Sequence, residues 1–127
     1  MLTTIAYVTS GAISVAIIGL GARFLLAPRS AAAGFGVPAG EHTPAHGPYP
    51  WHYTKGVRDI ASGIFLWILL ANREAHLLGA FMVAASLIPI GDAAIVLRSG
   101  GLRSAAYGIH GATAVVMLAA GITLLLA

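Results

Sequence analysis

Apolar residues run along this chain in long blocks rather than in short alternating stretches. Residues 5–26 form one block with a single charge, Arg23, near its end. Residues 76–97 form another with one carboxylate, Asp92, and residues 105–127 a third with one ionisable ring, His110. A helix needs roughly 20 apolar residues to cross the hydrocarbon core of a bilayer, so each block predicts a transmembrane helix. Residues 56–72 make a shorter block, with Arg58 and Asp59 in the first turn and no charge over 60–71. Standing between clear spans, it predicts a further membrane helix. The tight turn at Arg73-Glu74 and the short connection over 98–103 make the last three helices antiparallel neighbours. The expected fold is all-α: a single membrane domain, 1–127, built as a four-transmembrane-helix antiparallel bundle (about 5–26, 56–72, 76–97 and 105–127). A long Gly/Pro-rich cytoplasmic loop, 27–55, separates the first two helices. Its Gly34, Gly36, Pro38, Gly40, Pro44, Gly47, Pro48 and Pro50 disfavour helix and strand. No internal repeat is evident.

Composition narrows the class. Of 127 residues, 58% are apolar and 9% charged, and mean hydropathy is +0.89. Soluble domains are typically about 25% charged, so a soluble globule is excluded, and so is disorder. With no Cys, disulfide scaffolds, thiolate metal sites and thiol catalysis drop out. The net charge of +3 does not point to nucleic acid, because the seven Lys and Arg are scattered singly. Their content is orientation. Arg23, Arg29, Lys55, Arg58, Arg98 and Arg103 fall on one side of the expected bundle, and Arg73 alone on the other. Such an excess marks the cytoplasmic side, which places loops 1 and 3 in the cytoplasm of a cell-membrane protein and both termini outside. A cleaved signal peptide is the rival reading of the first block. Ala31-Ala32-Ala33 resembles a cleavage site, but no Lys or Arg precedes the apolar run.

Ionisable groups inside a membrane span are costly and usually face the bundle interior or a wet cavity. Arg23, Asp59, Asp92 and His110 each lie three to five residues from the same end of their helices. At about 1.5 Å per residue, all four sit at ~4–8 Å below one boundary. Helical spacing groups Arg103, Tyr107, His110 and Thr113 in one stripe, and Phe81, Ala85, Pro89 and Asp92 in another. Gly91 is expected to permit close approach beside Asp92. Ala12, Ala16 and Gly19 form a small-residue face expected to serve packing within the bundle. Two readings of the polar level stay open: a satisfied ion-pair network, or a cavity equipped for chemistry. The loop ends in Trp51-His52-Tyr53-Thr54-Lys55. Trp51 and Tyr53 suit an interfacial aromatic belt, or a lid over the cytoplasmic mouth. No metal is expected, since Pro44 separates His42 from His46 and no His-Glu-x-x-His occurs.

Several short patterns carry a resemblance: Gly21-x-Arg23-Phe24-Leu25-x-x-Pro28, Gly34-Phe35-Gly36-Val37-Pro38, Lys55-Gly56-x-Arg58-Asp59, Pro89-x-x-Asp92-x-x-x-Val96, and His110-Gly111. Over nearly its whole length the chain resembles the small four-helix membrane proteins grouped as domain of unknown function 4267. That resemblance implies a four-helix membrane fold and names no chemistry.

Two carboxylates with an arginine between them point to a specific reaction. An ionised Asp takes a proton from water while a protonated partner donates to a strained ether oxygen. In residue types alone, this resembles the Asp-Arg-Asp site of limonene-type epoxide hydrolases. The expectation is an integral-membrane enzyme acting on a lipophilic small molecule, by epoxide hydrolysis or epoxide-opening isomerisation. Asp59 and Asp92 serve as acid and base in either order, Arg58 bridges them, and Tyr107 and His110 position substrate or water. Arg23, Lys55, Trp51, Tyr53, Phe81 and Thr113 contact the substrate. No cofactor is expected. The expected partners are the substrate and membrane lipids, without nucleic acid, and a homodimer stays open. The alternative is a non-enzymatic lipid- or quinone-binding subunit, or a small transport or assembly partner.

Overall fold

The computed structural model describes residues 1–37 and 50–127. Its elements follow in the order α1 (Leu2–Leu26), α2 (Pro28–Phe35), α3 (Pro50–Asn72), α4 (Ala75–Ala85), α5 (Leu87–Arg98), α6 (Arg103–Ala105), a π-helical turn (Ala106–Gly111) and α7 (Ala112–Leu125). The fold is all-α, with no strand among the described residues. α4 and α5 make one rod, Ala75–Arg98, and α6 to α7 another, Arg103–Leu125. With α1, these are three helices long and apolar enough to cross a membrane.

The expected loop 27–55 is partly helix, which corrects the reading of its Gly and Pro residues as breakers. Pro28 and Pro50 are each the first residue of a helix, where the missing N–H costs nothing and the fixed φ suits the helix. Ala27 breaks α1 from α2 at φ −139° and ψ 59°, in keeping with the bias of a residue before proline away from helix. Gly36 stops α2 in the left-handed conformation, φ 96°. Trp51–Lys55 therefore belong to α3. Glu41, His42, Pro44 and His46 lie outside the described residues.

α1 and α3 pack antiparallel along their full lengths. At one end the Tyr7 hydroxyl donates to the Arg73 carbonyl at 3.2 Å. Midway the buried Ser14 hydroxyl donates to the Gly63 carbonyl at 2.7 Å. At the other end a Cβ on Gly21 would lie 2.6 Å from the Gly56 carbonyl oxygen. Small residues thus let the two backbones touch, as membrane helix pairs do. The face in question is Ser10, Ser14 and Gly21, all buried. The expected face is not used inside the chain: Ala12, Ala16 and Gly19 are exposed. α4 packs on α7 in the same way, with Gly79 against the Gly121 backbone.

Leu66, Leu78, Met82, Met117 and Leu124 join Ala6 and Ala120 in a core between these two helix pairs, near the Arg73 end. The outward faces are apolar too. Val8, Val15, Ile64, Phe65, Ile68, Leu77, Ile95, Val115 and Ile122 are all exposed. A helix bundle in water would place polar residues there, so this surface is matched to hydrocarbon. Toward the Arg98 end the packing opens, because α5 packs on the π turn, α6 and α7 rather than along α3. Ser86 separates α4 from α5, and Pro89 lacks the N–H that would continue the helical ladder there.

Candidate active site

That opening holds a cavity of about 310 Å3. Leu66, Phe81 and Met117 close it on the core side, and Ile17, Leu20, Ala85 and Ile88 form apolar walls. Its other end is polar: Lys55 and Asp59 from α3, Asp92 from α5 and His110 from the π turn. Three separate elements thus bring their ionisable groups to one point.

Lys55 is the hub. One helical turn separates it from Asp59, and its ammonium holds both carboxylate oxygens at 3.0 and 3.2 Å. The same nitrogen lies 3.9 Å from Asp92 Oδ2 and over the faces of Phe24 and Phe35, 5.4 and 5.2 Å from the ring centroids. Asp92 Oδ2 is also 3.9 Å from His110 Nδ1. Both Asp92 contacts exceed hydrogen-bond length, so this carboxylate is oriented by charge while remaining open to a small donor placed beside it. Asp59, in contrast, is committed to Lys55.

His110 is buried and its orientation has a clear origin. Nε2 lies 2.9 Å from the Phe35 carbonyl oxygen. A carbonyl only accepts, so Nε2 carries a proton, and the other ring nitrogen, Nδ1, faces Asp92. The Phe35 ring packs on the imidazole at 4.6 Å between centroids. α2 holds Phe35 there from two sides. Arg23 donates to the Ser30 hydroxyl at 2.7 Å, and the Gly36 carbonyl accepts the Leu102 N–H at 3.0 Å. A Cβ on Gly36 would meet that of Ala105 at 2.6 Å, so the close seat of Gly36 and its positive φ both require glycine. The Gly34-Phe35-Gly36 segment, which reads in the sequence as mere punctuation, is what sets the histidine.

Among the expected site residues, the structure gathers Asp59, Asp92, His110, Lys55, Arg23, Phe81 and Thr113 on the cavity wall. It leaves four outside. Arg58 is exposed and does not bridge the carboxylates. Neighbouring residues project about 100° apart on a helix, so Arg58 turns away where Asp59 turns in, and Lys55, at i−4, takes the bridging place. Tyr107 is 63% exposed. The π-helical turn widens the helix locally and rotates Tyr107 out of the stripe that a regular α-helix would give. Trp51 and Tyr53 are exposed near the start of α3; Trp51 instead packs against the Phe24 and His52 rings. Gly91 faces open space, so no close approach occurs beside Asp92. Phe24 and Phe35 are wall residues that helix periodicity did not single out. Among the described residues, no group of three His, Asp or Glu is arranged to hold a metal ion.

The model of the domain of unknown function DUF4267 matches residues 14–124. The chain belongs to that family. The match takes in α1 from Ser14, where it meets α3, and every residue of the polar cluster. No curated protein and no solved structure matches the chain.

Proposed function

We propose that this chain is an integral-membrane enzyme that opens the strained ring of a lipophilic epoxide, by hydration or by isomerisation. The observation that carries the reading is Asp92: a carboxylate set 3.9 Å from both a cation and an imidazole nitrogen, without a hydrogen bond of its own, at the polar end of an apolar cavity. In hydration, a water beside Asp92 gives a proton to the Asp92–His110 pair as its oxygen attacks a ring carbon. The ring C–O bond of that same carbon breaks, and the Lys55 ammonium donates a proton to the departing oxygen. The proton held by Asp92–His110 returns to Lys55, and a diol leaves. Asp59 holds the Lys55 ammonium in place. Positioned acid–base groups of this kind contribute typically ~10²–10⁴-fold.

Membrane placement with four spans fits the same picture. α3 accompanies α1 from Tyr7 and Arg73 at one end to Gly21 and Gly56 at the other, so a bilayer crossed by α1 is crossed by α3. The Lys/Arg imbalance orients the polar end of the cavity toward the cytoplasm.

The test is diol formation from lipophilic epoxides by membranes containing the chain. Wild-type activity that falls at least about 100-fold in Asp92→Asn, with the protein still folded, is the expected result. Full activity in Asp92→Asn overturns the reading. The direct Lys55–Asp59 pair favours one alternative, a non-catalytic subunit that binds a lipophilic ligand. Retention of a bound ligand with no epoxide turned over would select it.

A further inference from the structure

If this cavity is the substrate site, as the proposed function holds, its dimensions and charges constrain the ligand more closely than the reaction does. Both Phe81 and Asp92 line it. Eleven residues of nearly continuous helix separate them, about 16 Å at the helical rise per residue. A volume of about 310 Å3 spread over that length leaves a mean cross-section of about 20 Å2, a slot rather than a chamber. At the liquid volume of a water molecule, the space accommodates on the order of ten heavy atoms.

The polar end selects against charge on the ligand. Two cations line the cavity and both are engaged: Lys55 with Asp59, covered by Phe24 and Phe35, and Arg23 with the Ser30 hydroxyl. Asp92 adds a second carboxylate. Across the cavity wall the two cations and the two carboxylates sum to zero formal charge. An anionic head meets two carboxylates, whose like charge repels it, and two cations already engaged. A cationic head would compete with Lys55 for Asp59 and Asp92 inside a closely packed cluster. An uncharged oxygen needs neither displacement. It accepts from Lys55, or donates to Asp92.

We infer that the ligand class is a slender, largely apolar molecule of about ten to fifteen heavy atoms bearing one uncharged oxygen group, with Phe81 setting its length limit.

Binding of unreactive probes to the purified full chain tests this separately from catalysis. A series of straight-chain alkanols from hexanol to hexadecanol is compared at matched micellar mole fraction, by the rise in unfolding temperature. Decanoic acid and decylamine are compared with decanol. The expected optimum lies near decanol, with the acid and the amine each weaker by about tenfold or more. Phe81→Ala moves the optimum to longer alkanols, and Ala85→Val moves it to shorter ones. Equal stabilisation across the series, stronger binding of the acid or amine, or an optimum unmoved in Phe81→Ala overturns the inference, as does stabilisation by none of the probes. Because alkanols undergo no reaction here, these outcomes are independent of diol formation, which alone decides the epoxide reading.

Discussion

Replacing Lys55 by Met leaves two carboxylates facing a cavity without their shared cation. The side chains of Lys55, Asp59 and Asp92 are 20%, 16% and 21% exposed, closer to buried than to surface groups. Removing one partner of a fully buried pair costs ~3–5 kcal/mol, whereas an exposed pair contributes under ~1 kcal/mol. With about a fifth of each side chain open to solvent, Lys55→Met is expected to cost about 2–3 kcal/mol. Asp59→Asn costs less, about 1 kcal/mol, because Lys55 keeps Asp92 nearby. The double variant Lys55→Met/Asp59→Asn removes both charges of the direct pair, and its cost returns to about 1 kcal/mol, a coupling of about 2 kcal/mol. Arg58→Met, on the exposed face of the same helix, stays within about 0.5 kcal/mol. The assay is unfolding of the purified protein in detergent at a fixed scan rate. For a chain of this length, 1 kcal/mol corresponds to about 3–5 °C, so the loss in Lys55→Met is on the order of 10 °C. Equal losses in Lys55→Met and Arg58→Met, or a double variant as damaged as the two single variants together, refute the assignment of Lys55 as the hub.

Other positions give independent checks. Gly63→Ala drives a Cβ into Ile18 and to 2.9 Å from the Ser14 carbonyl oxygen; the expected loss is about 1–3 kcal/mol, and an unfolding temperature equal to wild type contradicts the close α1–α3 contact. Gly36→Ala unseats α2 and the Phe35 carbonyl from His110, so it is expected to lower diol formation more than it lowers stability; unchanged turnover argues against α2 as the support of the histidine. The absence of cysteine makes single-cysteine labelling direct. With an impermeant maleimide on intact cells, a cysteine replacing Arg73 is expected to react from outside, and one replacing Arg98 only after the cells are opened. The reverse pattern inverts the topology.

Much of the architecture was legible because membrane helices announce themselves by length and apolarity, and because charges within them are rare enough to compare. Matching the depths of Asp59, Asp92 and His110 found three members of one cluster from three elements. The failures share a cause, which is that they depend on details finer than helix periodicity. Arg58 is next to Asp59 in sequence and Lys55 one helical turn before it, and choosing between them needed the true start of α3. Pro50 concealed that start, since a proline reads as a breaker until it is placed at the first helical position. Tyr107 was misplaced by a π-helical turn, which no spacing rule for α-helices anticipates. α2 was hidden among glycines and prolines, yet Pro28 and Gly36 are its start and stop signals. The outward position of Ala12, Ala16 and Gly19 shows the limit of composition: small residues permit close contact without saying with what.

The distance between His110 and Asp92 in a lipid bilayer tests the convergence of the polar groups most directly. Solid-state magnetic resonance on protein carrying nitrogen-labelled histidine and carbon-labelled aspartate reads it without mutation. The expected result is a dipolar coupling between His110 Nδ1 and the Asp92 carboxyl carbon of the size that an Nδ1–Oδ2 separation near 3.9 Å produces. A lost coupling for that pair, with both residues visible in the spectrum, would mean that α5 and the π turn do not meet at one site, and the proposed chemistry would have nowhere to occur.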